Sequence, residues 1–331
     1  MQHFFRTPKY TDFRRGTSSL FPNAQLVMSM VRALVEFTRP HTIIGTSLAV
    51  NVFYLLAAAA AGRHDVGLLL STWAAGLCVN VYVVGINQIT DVDIDRINKP
   101  YLPLASGAFS MRTGMAITAA TGVSCLAIAA AVGPWLLATI GTVFAIGTAY
   151  SVPPLRLKRF PFAAAASITI ARAVVFHLGV YLSYASALGG EAVIPTSVVA
   201  FVCFMLLFVI VISVMKDVPD MEGDRRNQIS TFVLSLGATK VMGGCRALLT
   251  TAYVSMIVAA AAGLAGVHAP TAVATHTVAL ATVWSMSVGC DDENVAHAYW
   301  YYIHCVWKLF YFEFVTFTAA VMLASHPHSG M

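Results

Sequence analysis

Two short acidic stretches, at 87–95 and 217–224, interrupt an otherwise apolar sequence. In each stretch polar side chains recur every three or four residues, so on a helix they would share one face. The residues on these faces are Asn87, Asp91, Asp95, Asp217, Asp220 and Asp224. Two such faces opposed across a cavity form an oxygen-rich site, and Mg²⁺ typically takes one or two carboxylates together with substrate phosphates. The pattern therefore predicts a site for Mg²⁺ and a diphosphate.

A solvated, charged loop is the ordinary explanation of a single acidic stretch. Here there are two, each directly after a long apolar run, in a chain with only 15 acidic residues among 331. Acidic groups placed against a membrane are costly without a cation, so the pair favours a functional site. Asp93 and Glu222 lie off the shared faces and are secondary candidates.

The elements that must position these residues are membrane helices. The chain is 58% apolar and 11% charged, with a mean hydropathy of +0.75, a composition that excludes most soluble folds. Its apolar runs of about 20 residues match a hydrocarbon layer roughly 30 Å thick. We therefore expect an all-α, polytopic membrane protein, with an N-terminal segment at 1–38 and one transmembrane domain at 39–325. The nine predicted spans are 41–62, 66–86, 113–132, 134–150, 163–187, 195–216, 245–266, 270–289 and 303–324.

The distribution of basic residues predicts the orientation. With the N-terminus inside, 17 of the 20 Lys and Arg residues fall on the cytoplasmic side, together with both acidic stretches. The first 30 residues lack the apolar core of a secretory signal and contain Asp12, so we expect neither a cleaved signal nor a plastid transit peptide. The expected location is an endomembrane or a bacterial plasma membrane, in contact with lipid. The formal charge of +5 is no evidence for nucleic acid, which we do not expect as a partner.

The motifs resemble the UbiA superfamily of intramembrane prenyltransferases. The N-x-x-x-D-x-x-x-D pattern opens the segment NQITDVDIDRINKPYLPLASG at 87–107, and K-D-x-x-D-x-E-G-D follows at 216–224. Together with YSVPPLRLK at 150–158, RPHT at 39–42 and WKLF at 307–310, they look like the homogentisate prenyltransferase branch. The resemblance implies nine helices around a central cavity, dependence on Mg²⁺, and transfer of an isoprenoid from its diphosphate to an acceptor.

The resemblance also implies roles for individual residues. It assigns metal and diphosphate binding to the six residues of the acidic stretches and diphosphate contact to the basic residues beside them. The candidates for diphosphate contact are Asn87, Arg156, Lys158 and Lys216. Positive-inside anchoring explains Arg156 equally well and Lys158 less well. The candidates for catalysis are Asp91, Asp95, Asp217, Asp224 and Lys158. Cations on the departing diphosphate would favour ionisation of the donor in a dry cavity. A phenol ring carbon would then attack, and Asp91, Asp217 or Asp224 would take the ring proton.

Four residues are candidates for substrate binding: Arg39, Tyr150, Arg172 and His177. Arg172 lies deep in the predicted fifth span, where a charge must face a cavity or a partner; an acceptor carboxylate and a structural pair are both open. His177 stands where the branch usually has Asn, which suggests an acceptor-specificity residue, although a buried core histidine is the commoner role. Phenylalanines at six positions could line a tunnel for the donor's tail or simply pack the helices. They are Phe201, Phe204, Phe208, Phe310, Phe312 and Phe314.

The substrate pair stays open within this class. We expect farnesyl diphosphate as donor, or the geranylgeranyl or phytyl analogue. The acceptor is expected to be a phenolic aromatic acid, either an orsellinate-type polyketide acid, as in fungal meroterpenoid enzymes that resemble this chain, or homogentisate. Alternatives are 4-hydroxybenzoate, a naphthoate or a porphyrin as acceptor, or a secondary transporter that binds cations on intramembrane carboxylates.

Overall fold

A computed structural model describes residues 22–191 and 193–325, and all regular structure within them is helical. The helices, numbered in chain order, are α1 Pro22–Thr38, α2 Pro40–Ala61, α3 Val66–Thr90, α4 Val92–Asn98, α5 Pro103–Ser106, α6 Met111–Val132, α7 Pro134–Ser151, α8 Pro161–Ala187, α9 Thr196–Met215, α10 Met221–Arg226, α11 Phe232–Leu236, α12 Ala238–Ala261, α13 Ala269–Ser287 and α14 Val295–Ser325. A 3₁₀ turn at Leu157–Arg159 precedes α8.

Seven of these helices are long and apolar enough to cross a membrane: α2, α3, α6, α8, α9, α12 and α14. Helices α7 and α13 occupy the fourth and eighth predicted spans, so each of the nine predicted segments is helical. The expected all-α polytopic membrane fold is confirmed. In the N-terminal segment predicted at 1–38, residues 1–21 lie outside the described part of the chain, and Arg6, Lys9, Arg14 and Arg15 of the orientation count lie there.

Two spans begin earlier than their apolar runs do. Helix α12 starts at Ala238 rather than 245, and α14 starts at Val295 rather than 303. The start of α14 is set by Asn294, whose side-chain oxygen accepts hydrogen bonds from the N–H groups of Ala296 and His297. The first two turns read VAHAYWY, a mixture of small and aromatic residues with one histidine, and the cap starts the helix there although the strongly apolar run begins later.

The acidic stretches do not continue their spans as single helices. Helix α3 ends at Thr90, Asp91 adopts a non-helical conformation, and α4 restarts at Val92. After α9 ends at Met215, residues 216–220 form turns before α10 begins. Pro219 lies within those turns, where it removes a backbone donor. The predicted shared helical faces are therefore wrong as geometry, although the residues still meet at one cavity.

Two spans contain π-helical turns, at Ile170–Phe176 in α8 and at Tyr302–Val306 in α14. Each turn brings side chains to the central cavity, Arg172 from α8 and Tyr302 from α14. Such wide turns are rare and often occur at functional sites.

Candidate active site

A cavity of about 430 Å³ opens at the end of the helix bundle where both acidic stretches lie. Twelve of the thirteen candidate residues line it: Arg39, Asn87, Asp91, Asp95, Tyr150, Lys158, Arg172, His177, Lys216, Asp217, Asp220 and Asp224. The exception is Arg156, which lies just outside the wall and reaches it only through Asp91. Residues up to 185 positions apart in the chain, Arg39 and Asp224, are thus brought to one space, and so are both acidic stretches, as the two-motif hypothesis requires.

Asp91 is the centre of the first stretch. Its Oδ1 forms an ion pair with the Lys158 ammonium and lies 3.4 Å from an Arg156 guanidinium nitrogen. Its Oδ2 accepts a hydrogen bond of 2.8 Å from Asn87, whose own oxygen accepts one of 3.4 Å from Arg39. The carboxylate is thus held by cations on one oxygen and by an amide on the other, which fixes its orientation toward the cavity.

Backbone strain positions the two arginines at this centre. Arg39 has φ +53° and Arg156 has φ +36°, in the left-handed region that residues other than glycine rarely adopt. Arg39 links α1 to α2, and Arg156 precedes the turn that carries Lys158. Conformations of this kind persist where surrounding structure enforces them and cluster at functional sites.

The second stretch presents its own ion pairs. Asp217 pairs with Lys216, and Asp220 pairs with Lys99, a residue of the first acidic segment that the sequence analysis did not single out. Asn98 was also missed. Its Nδ2 donates to the Asp220 carbonyl at 2.9 Å, and its Oδ1 accepts from the Gly223 N–H at 2.8 Å. One side chain therefore fastens α4 to α10 and sets the separation of the two stretches.

Burial makes several carboxylates unusually easy to protonate. The pKa of Asp95 is raised to about 6 because its charged form loses hydration. The pKa of Asp224 is raised to about 7, first by burial and then by the neighbouring charges of Asp220 and Asp217. Burial also raises the pKa of Asp217 despite its pairing with Lys216. A bound cation would offset this cost and favour the ionised forms.

The donor set fits a metal that shares its ligands with a phosphate. Within 22–191 and 193–325, no group of three or more His, Cys, Asp or Glu side chains is close enough to hold a metal ion alone. Asp95 Oδ2 and Asp220 Oδ1 are buried and have no hydrogen-bond partner within residues 22–191 and 193–325. Unpaired buried carboxylate oxygens suit Mg²⁺, which commonly takes one or two carboxylates and completes its shell with water and phosphate.

The secondary candidates face away from the cavity. Asp93 is exposed and pairs with Arg96 at 2.8 Å, and Glu222 is exposed and pairs with Arg226 at 2.6 Å. Both are intrahelical pairs of the kind that contribute little to stability at a surface. Neither acid lines the cavity.

The inner part of the cavity is mostly apolar. His177 lies there, 1% exposed, with its ring centre 5.2 Å from that of Phe53 and 5.6 Å from that of Phe314. Its Nδ1 has no hydrogen-bond partner in the described part of the chain. Of the six phenylalanines proposed for a tunnel, only Phe310 lines the cavity, and the others pack in or against the core.

These features define an integral membrane protein with an intramembrane cavity that is acidic and basic at its mouth and apolar within. The UbiA prenyltransferase family model matches residues 48–324, and the chain belongs to this family. It is therefore a prenyltransferase, and the predicted resemblance is confirmed.

Individual relatives agree with this assignment. The chain is 40% identical to a homogentisate phytyltransferase of Synechocystis sp. over 309 residues, covering 91% of this chain and 99% of that one. It is 36% identical to homogentisate phytyltransferase 1 of Arabidopsis thaliana, covering 86% and 74% respectively. Among solved structures, a UbiA homologue from Archaeoglobus fulgidus bound to GPP and Mg²⁺ has a TM-score of 0.62 at 16% identity, covering 88% of this chain and 99% of that one. At that identity the likeness concerns the fold.

Proposed function

We propose that the protein transfers a C20 prenyl group, phytyl or geranylgeranyl, from its diphosphate to a ring carbon of homogentisate. The proposal is carried by one observation: both acidic stretches and their cations meet at the mouth of a long apolar cavity. The likeness to enzymes named homogentisate phytyltransferase supports the acceptor. The comparisons give no specific support to farnesyl transfer onto an orsellinate-type acid, the first expectation from sequence.

The mouth would bind the diphosphate. Asp95 and Asp220 would hold Mg²⁺ through their unpaired oxygens, and the metal would neutralise charge on the departing phosphate oxygens. Lys158 and Lys216 would contact the diphosphate directly as point charges. The Archaeoglobus homologue described as bound to GPP and Mg²⁺ supports this arrangement. Asp91, oriented by Asn87, would complete the site by keeping Lys158 in place.

The depth of the cavity supports a C20 donor. On α3 the lining face runs without interruption from Asp91 at the mouth to Gly76. About 15 residues of helix correspond to roughly 22 Å. With carbon–carbon bonds of roughly 1.5 Å, an extended isoprene unit is about 5 Å long, so a C20 chain needs about 20 Å and farnesyl only about 15 Å. Phytyl and geranylgeranyl groups have the same length, so depth does not choose between them.

The proposed reaction transfers the prenyl group from oxygen to carbon. The bond between the donor's first carbon and its oxygen breaks, the ring carbon forms a new carbon–carbon bond, and diphosphate leaves with the electron pair. The apolar wall keeps water from the allylic cation. A carboxylate at the mouth accepts the ring proton. Asp91 is held by Lys158 and Arg156, and Asp217 is held by Lys216, which leaves Asp224 better placed to receive it.

The orientation belongs to the same proposal. The positive-inside distribution supports a cytoplasmic mouth, which would give a water-soluble aromatic acid direct access. The lipid tail of the donor would be inserted toward the middle of the bilayer.

The test is product mass spectrometry on membranes that contain the protein, with Mg²⁺ and mixed C10, C15 and C20 diphosphates. The acceptors are homogentisate, orsellinate and 4-hydroxybenzoate, supplied together. We expect a C20 product of homogentisate only. Asp91→Asn should abolish it, whereas Asp93→Asn, an exposed acid of the same segment, should not. A product made only from another acceptor, or equal activity of the two variants, would refute the proposal.

A further inference from the structure

Arg172 is a cation within a membrane span that lines the cavity wall. It lies in the π-helical turn of α8 and is half-buried. A charge at such depth must face a cavity or be paired, because unpaired burial in hydrocarbon is costly. Here it faces the cavity, below the mouth where the diphosphate site is proposed.

Arg172 has no carboxylate partner among the residues that the structure describes. Two other partly or fully buried arginines do have carboxylate partners. Arg246 makes a two-pronged pair with Asp292, at 2.6 and 2.7 Å, and Arg156 contacts Asp91. Structural pairing, one of the two roles left open by the sequence, therefore does not account for Arg172.

The depth of the guanidinium suits a small aromatic acid. A Cβ at Gly45 would lie 3.7 Å from the Nη1 of Arg172. Gly45 is about six residues into α2 from Arg39, roughly 9 Å along the helix. Arg39 contacts Asn87 at the proposed diphosphate site. The roughly 9 Å between Arg39 and Gly45 therefore leaves room for one aromatic ring and its acid side chain between the diphosphate and Arg172.

Trp307 holds the guanidinium in place. The Cζ of Arg172 lies over the indole ring, 5.7 Å from its centre, as in a cation–π contact. The ring is fixed in turn by His41 and Phe310, with ring centres at 4.9 and 5.5 Å. Such stacking leaves the edge of a guanidinium free to donate two parallel hydrogen bonds.

We propose that Arg172, positioned by Trp307, binds the carboxylate of the aromatic acceptor and selects for acids. This inference rests on the proposed function. The guanidinium donates to both carboxylate oxygens, and the ring is presented upward to the first carbon of the donor. Selection follows because an acceptor without the charge leaves the guanidinium in the cavity wall uncompensated.

The test compares an acceptor acid with its methyl ester in the wild type and in Arg172→Gln. Loss of a hydrogen bond to a charged group corresponds to about a 10- to 150-fold fall in kcat/KM. We expect kcat/KM for the acid to fall by that factor, mainly through KM, and the preference for acid over ester to disappear. The KM for the prenyl diphosphate should not change. Arg172→Lys should recover part of the preference, and Arg112→Gln, an exposed arginine of α6, should keep all of it.

Three outcomes would overturn the inference. One is an unchanged acid-to-ester ratio in Arg172→Gln; another is a wild type that prenylates the ester as readily as the acid. The third is a rise in the KM for the diphosphate equal to that for the acid, which would assign Arg172 to the donor. If Arg172→Gln does not fold, the acid-to-ester ratio is measured in Arg172→Lys, where it should be lower than in the wild type. Failure of this inference can be distinguished from failure of the proposed function, because the acid-to-ester ratio is measured with whichever aromatic acid the wild type prenylates.

Discussion

Asn98 is the residue whose removal tests the architecture of the site most directly. Its amide makes two hydrogen bonds, to the Asp220 carbonyl and from the Gly223 N–H, and these join α4 to α10. Each such bond contributes about 0.5–1.5 kcal/mol, so Asn98→Ala should cost about 1–3 kcal/mol. If this free energy holds the two acidic stretches at their working separation, it corresponds to roughly a 5- to 150-fold loss in affinity for Mg²⁺ and diphosphate.

The assay measures the Mg²⁺ concentration for half-maximal activity together with the KM for each substrate. We expect Asn98→Ala to raise the Mg²⁺ requirement and the KM for the prenyl diphosphate, with little effect on the KM for the acceptor. Asn227→Ala is a matched control. It removes an exposed amide that donates to the Gly223 carbonyl at 2.8 Å but does not reach α4.

A second variant tests the same contact from the other side. A Cβ at Gly223 would lie 2.5 Å from the Asn98 amide, so Gly223→Ala should push Asn98 away and reproduce its loss. In the double variant the clash is absent, and its defect should be no larger than that of either single change. Additive defects, or an unchanged Mg²⁺ requirement in Asn98→Ala, would refute the reasoning.

Two further predictions concern buried charges. Asp95 and Asp224 have pKa values of about 6 and about 7 against an ordinary value of 3.8, so the folded state binds their protons more tightly than the unfolded state. Their contribution to stability is complete below pH 3.8 and is lost as pH rises toward 7. Melting curves in detergent should show this loss and its reduction by Mg²⁺ with diphosphate; a flat profile would contradict it. His276 and Glu313 form a fully buried contact of 3.1 Å between α13 and α14. Breaking it by Glu313→Ala should cost about 3–5 kcal/mol, whereas replacing both partners with apolar residues should cost less; equal losses in thermal unfolding would argue against a coupled pair.

Much of the fold could be predicted because its main determinant is local. Hydrocarbon requires about 20 apolar residues per span, and that requirement marks all nine helical segments in the sequence. Their ends were harder to place, since a cap such as Asn294 starts a helix several residues before the strongly apolar run. The acids of the site were predictable for a related reason, because carboxylates are rare beside apolar runs and stand out.

The contacts that join distant segments could not be predicted from such local sequence patterns. Asn98 is one amide in a polar segment, and nothing about its type marks it as the link to Gly223, about 125 positions later. The π-helical turns could not be predicted from the sequence either, because the residues of Ile170–Phe176 would also suit a regular α-helix. Arg172 was visible as a charge in a span, but only the packed structure shows that none of the described carboxylates pairs with it.

The site residues share one structural property, which is that most lie where a helix is interrupted. Asp91 separates α3 from α4, Lys158 lies in the turn before α8, and Asp217 follows the end of α9. Arg172 lies in a widened turn within a span. Within a membrane, backbone groups freed by such breaks must be satisfied by protein or by a water-filled cavity. Each break therefore belongs at the central space, and it gives a polar side chain a direction of approach that a regular helix does not offer. In this chain the sites of interruption and the sites of chemistry coincide for that reason, so an interrupted span carrying a charged residue is a better guide to the site than the charge alone.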